Sequence, residues 1–284
     1  MYQKWIDLEG ESFYRVYFSL DDIIDSSIDI AKQYAEKFDK SKTITLLYLR
    51  NGGTFGGELL AHIFENMGYK VNVFSIGIKN NSINNISGDA IDFYKPLAYH
   101  EQENFVRGMI NGNNLLIVDE VVDSGESYRI ALDYLNNNLK LEDQDHKLDY
   151  LERIGSTQAD LYFNMLNMHS LGAVLDRKPK FYLESVPDYL KAFVAFNVHA
   201  FNPGDPRDPI LDMNPIGKDP YKHLWTVYPW EEEAKEVDGY YEKELEDMIY
   251  GKHNGSNPDI WGMRDYIQKS QKIIEKVSQL KIAI

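Results

Sequence analysis

Apolar residues recur at helical spacing in SLDDIIDSSIDIAKQYAEKF, residues 19–38, where Ile23, Ile24, Ile28, Ala31, Tyr34, Ala35 and Phe38 fall on one stripe. Ser19 followed by Asp21 and Asp22 is a helix-start signature, so an amphipathic first helix is predicted here. The pattern then changes period. TITLLYL (43–49) is nearly all apolar and rich in strand formers; RNGGTFGG and the helical ELLAHIFENMG follow it, with Gly68 as the stop. KVNVFSIGI (70–78) reads as a second strand and NNLLIVDEVV (113–122) as a third, again followed by a glycine loop and a helix, ESYRIALDYLN. Continuous apolar strands that alternate with helices predict a mainly parallel sheet covered on both faces. Ligands in such sheets sit beyond the carboxyl ends of the strands, where both glycine loops lie.

A long polar stretch, KNNSINNISGDAIDFYKPLAYHEQENFVRGMINGN, separates the second and third strands. Connections of that length in a compact domain are commonly functional lids, and Asp89, Asp92, Phe93, Tyr94 and Tyr99 fall in this one. GAVLDRKPKFYLESVPDYL (172–190) and LWTVYPWEEE (224–233) are strand-like, with an insertion at about 191–223 rich in Pro, Gly and Asp between them. After residue 231 an acidic helix, a turn at GKHNGSNP and a last amphipathic helix from Trp261 to about Leu280 are expected. The division that follows is a domain over 1–232 and a helical extension over 233–284.

Composition narrows the chemistry. The chain has 284 residues, 43% hydrophobic and 13% aromatic, enough for a substantial core. It has no cysteine, which removes disulfides, thiolate nucleophiles and iron–sulfur clusters, and its seven histidines have no HxH or HExxH spacing. A formal charge of −15 argues against a nucleic-acid binder, because phosphate neutralisation needs clustered Lys and Arg. No apolar run reaches the roughly 18 residues of a membrane span, and the start MYQKWIDLEGE lacks the order of a signal peptide, so a cytoplasmic protein without membrane partners is expected. An acidic chain that handles an anion must do so locally, through backbone N–H groups, single basic residues or a divalent metal.

LLIVDEVVDSGES (115–127) concentrates that chemistry. Gly125 permits a tight turn, and successive N–H groups there, the hydroxyls of Ser124 and Ser127 and the next helix N-terminus suit a phosphate monoester. The carboxylates of Asp119 and Glu120 at the strand end suit ribose hydroxyls, directly or through Mg²⁺. An acidic strand-to-helix turn with Ser or Asp as N-cap is the plain alternative. The stretch resembles the signature with which type I phosphoribosyltransferases bind 5-phosphoribosyl-1-pyrophosphate (PRPP): four apolar residues, two acids, two apolar residues, Asp, Ser/Thr, Gly, any residue, Ser/Thr. The resemblance implies that Asp119 and Glu120 lie along the ribose 2- and 3-hydroxyls and face metal. It implies that Asp123 is the catalytic residue beside the incoming base, and that Asp123, Ser124, Gly125, Glu126 and Ser127 form the 5-phosphate loop.

Two further stretches resemble the same family. LYLRNGGTFGGELLA (47–61) stands where it carries its pyrophosphate loop, implying that role for Arg50, Asn51, Gly52 and Gly53; Asn51 occupies the place usually held by a basic residue. VLDRKPKFYLESVPDY and LWTVYPWE are similar to the base-binding part of the xanthine/hypoxanthine/guanine transferases, and YFSLDDIIDSSIDIA to their first helix. By that resemblance Lys178 donates to a purine 6-oxo group, Trp225 stacks on the ring, the Thr226 backbone reads its edge, and Glu231 helps hold a second Mg²⁺. The AFVAF stretch (192–196) competes for the base-wall role.

The expectation is therefore an α/β protein of the type I phosphoribosyltransferase fold: a central, mainly parallel sheet flanked by helices, a C-terminal hood and a helical tail. The implied reaction is PRPP plus a 6-oxopurine giving a nucleoside 5-monophosphate and pyrophosphate, with Mg²⁺ as cofactor. The family and the apolar residues Trp261, Ile267, Ile274 and Val277 suggest a homodimer. Two alternatives stay open: another enzyme on this fold with an unusual base or ribose diphosphate, or PRPP-synthase-like, and a catalytically silent ligand sensor.

Overall fold

The computed structural model describes residues 2–8, 11–35, 38, 40–50, 52–80, 91–110, 113–121, 131, 134, 168–174, 193–197, 224–250 and 258–282. Ser19 and Asp22 open the first helix, α1 (Leu20–Ala35): the Ser19 backbone N–H and hydroxyl donate to Asp22 Oδ2 at 2.9 and 2.7 Å, and the Asp22 N–H returns to Ser19 Oγ at 3.2 Å. The all-apolar run becomes β3 (Ile44–Leu49), with every residue buried, and the double glycine starts α2 (Gly52–Asn66). β4 (Val71–Asn80) and β6 (Asn114–Val121) flank β3 in parallel. With β5 (Ile91–Lys95), β7 (Met168–Val174) and β8 (Phe193–Asn197) they form a six-stranded sheet ordered β5-β4-β3-β6-β7-β8, parallel except at β5.

Strand alternation sorts the layers. Leu46, Tyr48, Leu116 and Val118 face a single apolar core with α1 and α2, and Val71 and Val73 pack against it. Phe74 alternates to the other face, where Phe105 of α3 (Tyr99–Ile110) meets it edge to face at 5.4 Å. The sheet is thus covered on both sides, as continuous apolar strands require.

Three elements differ from the sequence reading. The N-terminus forms a hairpin, β1 (Tyr2–Leu8) and β2 (Glu11–Tyr17), and β2 pairs in parallel with β9 (Leu224–Val227) as a separate three-stranded sheet. The polar stretch between the second and third strands is structured where described: it supplies β5 and α3. The last helix is two. After α4 (Lys243–Tyr250), α5 (Ile260–Lys269) ends at Ser270, whose ψ of 112° is extended, and α6 (Gln271–Ser278) starts anew. The break lets Met263 and Ile267 on one segment and Ile273 and Val277 on the next enter the α1–α2 core. Of the four residues read as an association face, Ile267 and Val277 are therefore spent inside the chain, while Trp261 and Ile274 are exposed.

Candidate functional site

Three of the motif segments meet at the start of α2. Gly53 lies so close to β6 that a β-carbon there would stand 2.7 Å from the Val118 carbonyl oxygen and 3.1 Å from the Asp119 Cα. Only glycine allows this approach, and it seats the amino end of α2 directly on the carboxyl end of β6. Asp119 is half-buried there, opposite Gly172 of β7, and the register slips between Asp119 and Val121, so Glu120 falls at an irregularity of the β6–β7 ladder. From the other side, Trp230 stacks on Tyr228 at 5.1 Å and its ring lies 5.5 Å from Phe55 in the first turn of α2.

The amino end of α2 has the electrostatics of an anion seat. Its first turn carries no acidic residue, and its orphan N–H groups sit at the positive end of the helix dipole. Thr54 is fully buried in that turn, and its hydroxyl has no hydrogen-bond partner among the described residues. A buried hydroxyl left unsatisfied costs roughly 1–3 kcal/mol, so such an atom asks for a ligand.

Basic groups cluster beside it, one strand over. Arg50 follows β3; its backbone N–H bonds the Ile76 carbonyl at 2.8 Å and its Nε donates to Ser75 Oγ at 3.2 Å. Lys95, at the end of β5, donates to the same Ser75 Oγ, also at 3.2 Å. Burial first, and the Arg50 charge second, hold the Lys95 ammonium below the usual lysine range. Ser75 is in turn hydrogen-bonded to Tyr48, whose hydroxyl donates to Glu58 Oε1 at 3.2 Å. Glu58, buried in α2, is gripped by two guanidinium nitrogens of Arg264 from α5, Nε at 2.5 Å and Nη2 at 3.0 Å. A buried polar thread thus runs from the tail helices to Arg50 and Lys95.

Other sequence-predicted residues take varied places. Trp225 and Thr226 lie on β9 beside Arg15 and Val16 of β2. Glu231 accepts the Tyr228 N–H at 2.8 Å and returns its own N–H to the Tyr228 carbonyl at 3.0 Å, closing the turn after β9; burial pushes its carboxyl up to about 7. Gly52 is the first residue of α2. Asn51, Asp123, Ser124, Gly125, Glu126, Ser127 and Lys178 lie outside the described residues, as do the side chains of Glu120, Trp225 and Thr226. Among the described residues there is no group of three or more His, Asp or Glu side chains placed to hold a metal ion, and no helix long and apolar enough to cross a membrane.

Lys95, Ser75 and Thr54 were not singled out by the sequence. The signal for Lys95 was present in IDFYKP, an alternating run that ends in Lys before Pro, but it sat inside a stretch read as a lid. Nothing local marks Ser75.

No protein-family model and no curated protein matches the chain. Among solved structures, the chain is similar to a hypoxanthine-guanine phosphoribosyltransferase from Bacillus anthracis, with 12% identity over 63% of this chain and 78% of that one and a TM-score of 0.35. It is similar to hypoxanthine phosphoribosyltransferase from Trypanosoma cruzi in complex with the product IMP, with 14% identity, the same two coverages and a TM-score of 0.38. A hypothetical protein from Neisseria gonorrhoeae with bound ppGpp has 15% identity over 64% of this chain and 82% of that one, at a TM-score of 0.36.

Proposed function

We propose that the chain is a phosphoribosyltransferase that moves the 5-phosphoribosyl group of PRPP to a 6-oxopurine, releasing pyrophosphate. The observation that carries this reading is the seat of Gly53 on Val118 and Asp119, which joins the glycine loop and the acidic strand end into one surface. Sugar-side carboxylates and a diphosphate-side helix terminus next to one another are what this substrate requires.

In this reading a ring nitrogen of the base bonds to ribose C1 as the bond from C1 to the diphosphate oxygen breaks, and the diphosphate leaves with the electron pair. Positive charge develops on the ribose ring, so Asp119 and Glu120 beside its hydroxyls stabilise the transition state more than the ground state. Asp123 takes or shares the ring proton of the base, residues 124–127 hold the 5-phosphate, and Lys178, Trp225 and Thr226 read the purine. The N–H groups of Gly53 and Thr54 receive the charge that grows on the departing diphosphate. The hard oxygens of Asp119 and Glu120 suit Mg²⁺, which would be held by them together with substrate oxygens and supplies charge neutralisation when bound. Residues 1–232 form the transferase unit, with 233–284 as an appended support.

The test is pyrophosphate release from PRPP and Mg²⁺ with hypoxanthine, guanine or xanthine. At least one base turns over, and Asp123→Asn loses about 10²-fold or more in kcat while still binding PRPP. Absence of turnover with all three bases would sink the reading; equal loss of binding and turnover in Asp123→Asn would favour a sensor.

A further inference from the structure

We propose that the open edge of β4, from Val71 to Phe74, is a docking site where a short extended peptide with basic side chains adds to the sheet. It lies on the amino half of β4, away from the strand ends that carry Arg50 and Asp119, and it does not rest on the transferase reading.

The edge is open for a local reason. The Lys70 and Ile76 carbonyls accept the N–H groups of Ile44 and Arg50, each at 2.8 Å, so the even-numbered residues of β4 between them turn their backbone groups to β3. Val71 and Val73 turn their N–H and C=O groups the other way. β5 covers that side only from Gly77 to Asn80, because it ends at Lys95, before Pro96, which has no N–H to continue the ladder. The chain then leaves into α3. Among the described residues no strand pairs with Val71 or Val73 on that side.

Space lies where the partner strand is missing. A cavity of about 870 Å³ runs along Val71–Phe74, with α2 and α5 above the sheet edge and α3 below it. Sheets commonly guard a free edge with charge, proline or a covering element, whereas Val71, Asn72 and Val73 carry neither charge nor proline, and Asn72 is exposed. At about 3.3 Å per residue this edge is roughly 13 Å long and takes four or five extended residues.

Charge selects the occupant. The cavity's two guanidinium groups are committed: Arg264 to Glu58, and Arg107 to Glu103 at 3.2 Å. Glu65 on α2 has no hydrogen-bond or ion-pair partner among the described residues, and Glu101 on α3 accepts only the Ala98 N–H, at 2.8 Å. Two carboxylates thus flank the edge, one from each face of the sheet. A strand with lysine or arginine is matched there and an acidic one is repelled, while the backbone of Val71 and Val73 supplies the ladder.

Titration calorimetry with the full chain and three end-blocked five-residue peptides tests the site. One alternates threonine and lysine, one alternates threonine and glutamate, and one is the lysine peptide with alternate backbone nitrogens methylated, made in both registers. The lysine peptide binds with Kd below about 1 mM, the glutamate peptide at least about tenfold more weakly, and methylation in one register costs about tenfold or more. Glu65→Gln, at an exposed position that the fold does not need, weakens the lysine peptide about fivefold and does not weaken the glutamate peptide. Absent binding, equal binding of the two charge types, full affinity after methylation in both registers, or unchanged affinity in Glu65→Gln overturns the proposal. So does equally tight binding of a single end-blocked lysine, which would make the cavity a site for a small organic cation.

Discussion

Gly53→Ala puts one methyl group where the molecule has no room. Ordinary carbon contact begins near 3.4 Å, and the new β-carbon would stand 2.7 Å from the Val118 carbonyl oxygen, an overlap of about 0.7 Å, with Asp119 Cα at 3.1 Å behind it. Both are backbone atoms of β6, a strand bonded to β3 on one side and β7 on the other, so they cannot swing away as a side chain would. The first turn of α2 must lift instead. Overpacking of this kind costs about 1–3 kcal/mol, against which alanine returns roughly 0.5–1 kcal/mol of helix propensity, leaving a net destabilisation of up to about 2.5 kcal/mol. The catalytic effect is larger, because misplacement of a binding group by about 1 Å costs on the order of 10²-fold in rate. Gly56→Ala is the internal control: its nearest neighbour, Val118 Cγ1, lies at 3.8 Å, so propensity alone acts and stability is unchanged or up to about 1 kcal/mol higher. Urea unfolding and kcat/KM for pyrophosphate release, measured on both variants, decide the matter. Equal stability and activity in the two would refute the close-approach account.

Thr54→Val removes a buried hydroxyl that has no partner among the described residues, so stability holds or rises by about 1 kcal/mol while pyrophosphate affinity drops about fivefold; a clear loss of stability would show that the hydroxyl serves the fold. Arg264→Met strands the Glu58 carboxylate, 2% exposed, and costs about 2–4 kcal/mol in urea unfolding; adding Glu58→Gln recovers part of it, and strict additivity of the two changes would argue against the pair.

Local patterns announced the elements whose causes are local. β3 is buried along its whole length because Ile44 to Leu49 contain only Ile, Leu, Thr and Tyr, and α1 begins just after Ser19 because Ser19 and Asp22 cap each other across one turn. The sequence places Gly53 and Asp119 only at the carboxyl ends of two strands of one parallel sheet, not in contact. What escaped are partnerships far apart in sequence. β2 meets β9 more than two hundred residues later, Glu58 meets Arg264 at a separation of 206, and Lys95 reaches Ser75 only once β5 has folded back along β4. The break at Ser270 escaped for a related reason: the apolar period continues through it, and the burial of Met263 and Ile267 on one segment and Ile273 and Val277 on the next in one core shows only in the fold.

The two described indole environments make the molecule its own optical instrument. Trp230 is 2% exposed and stacked on Tyr228, whereas Trp261 is 79% exposed beneath the Arg264 guanidinium at 5.5 Å. Emission from the first is blue-shifted and shielded from acrylamide; emission from the second is red-shifted and readily quenched. Since Trp230 leans on the first turn of α2 and Trp261 on the helix that holds Glu58, occupancy of the anion seat and loosening of the tail would report in separate parts of one spectrum.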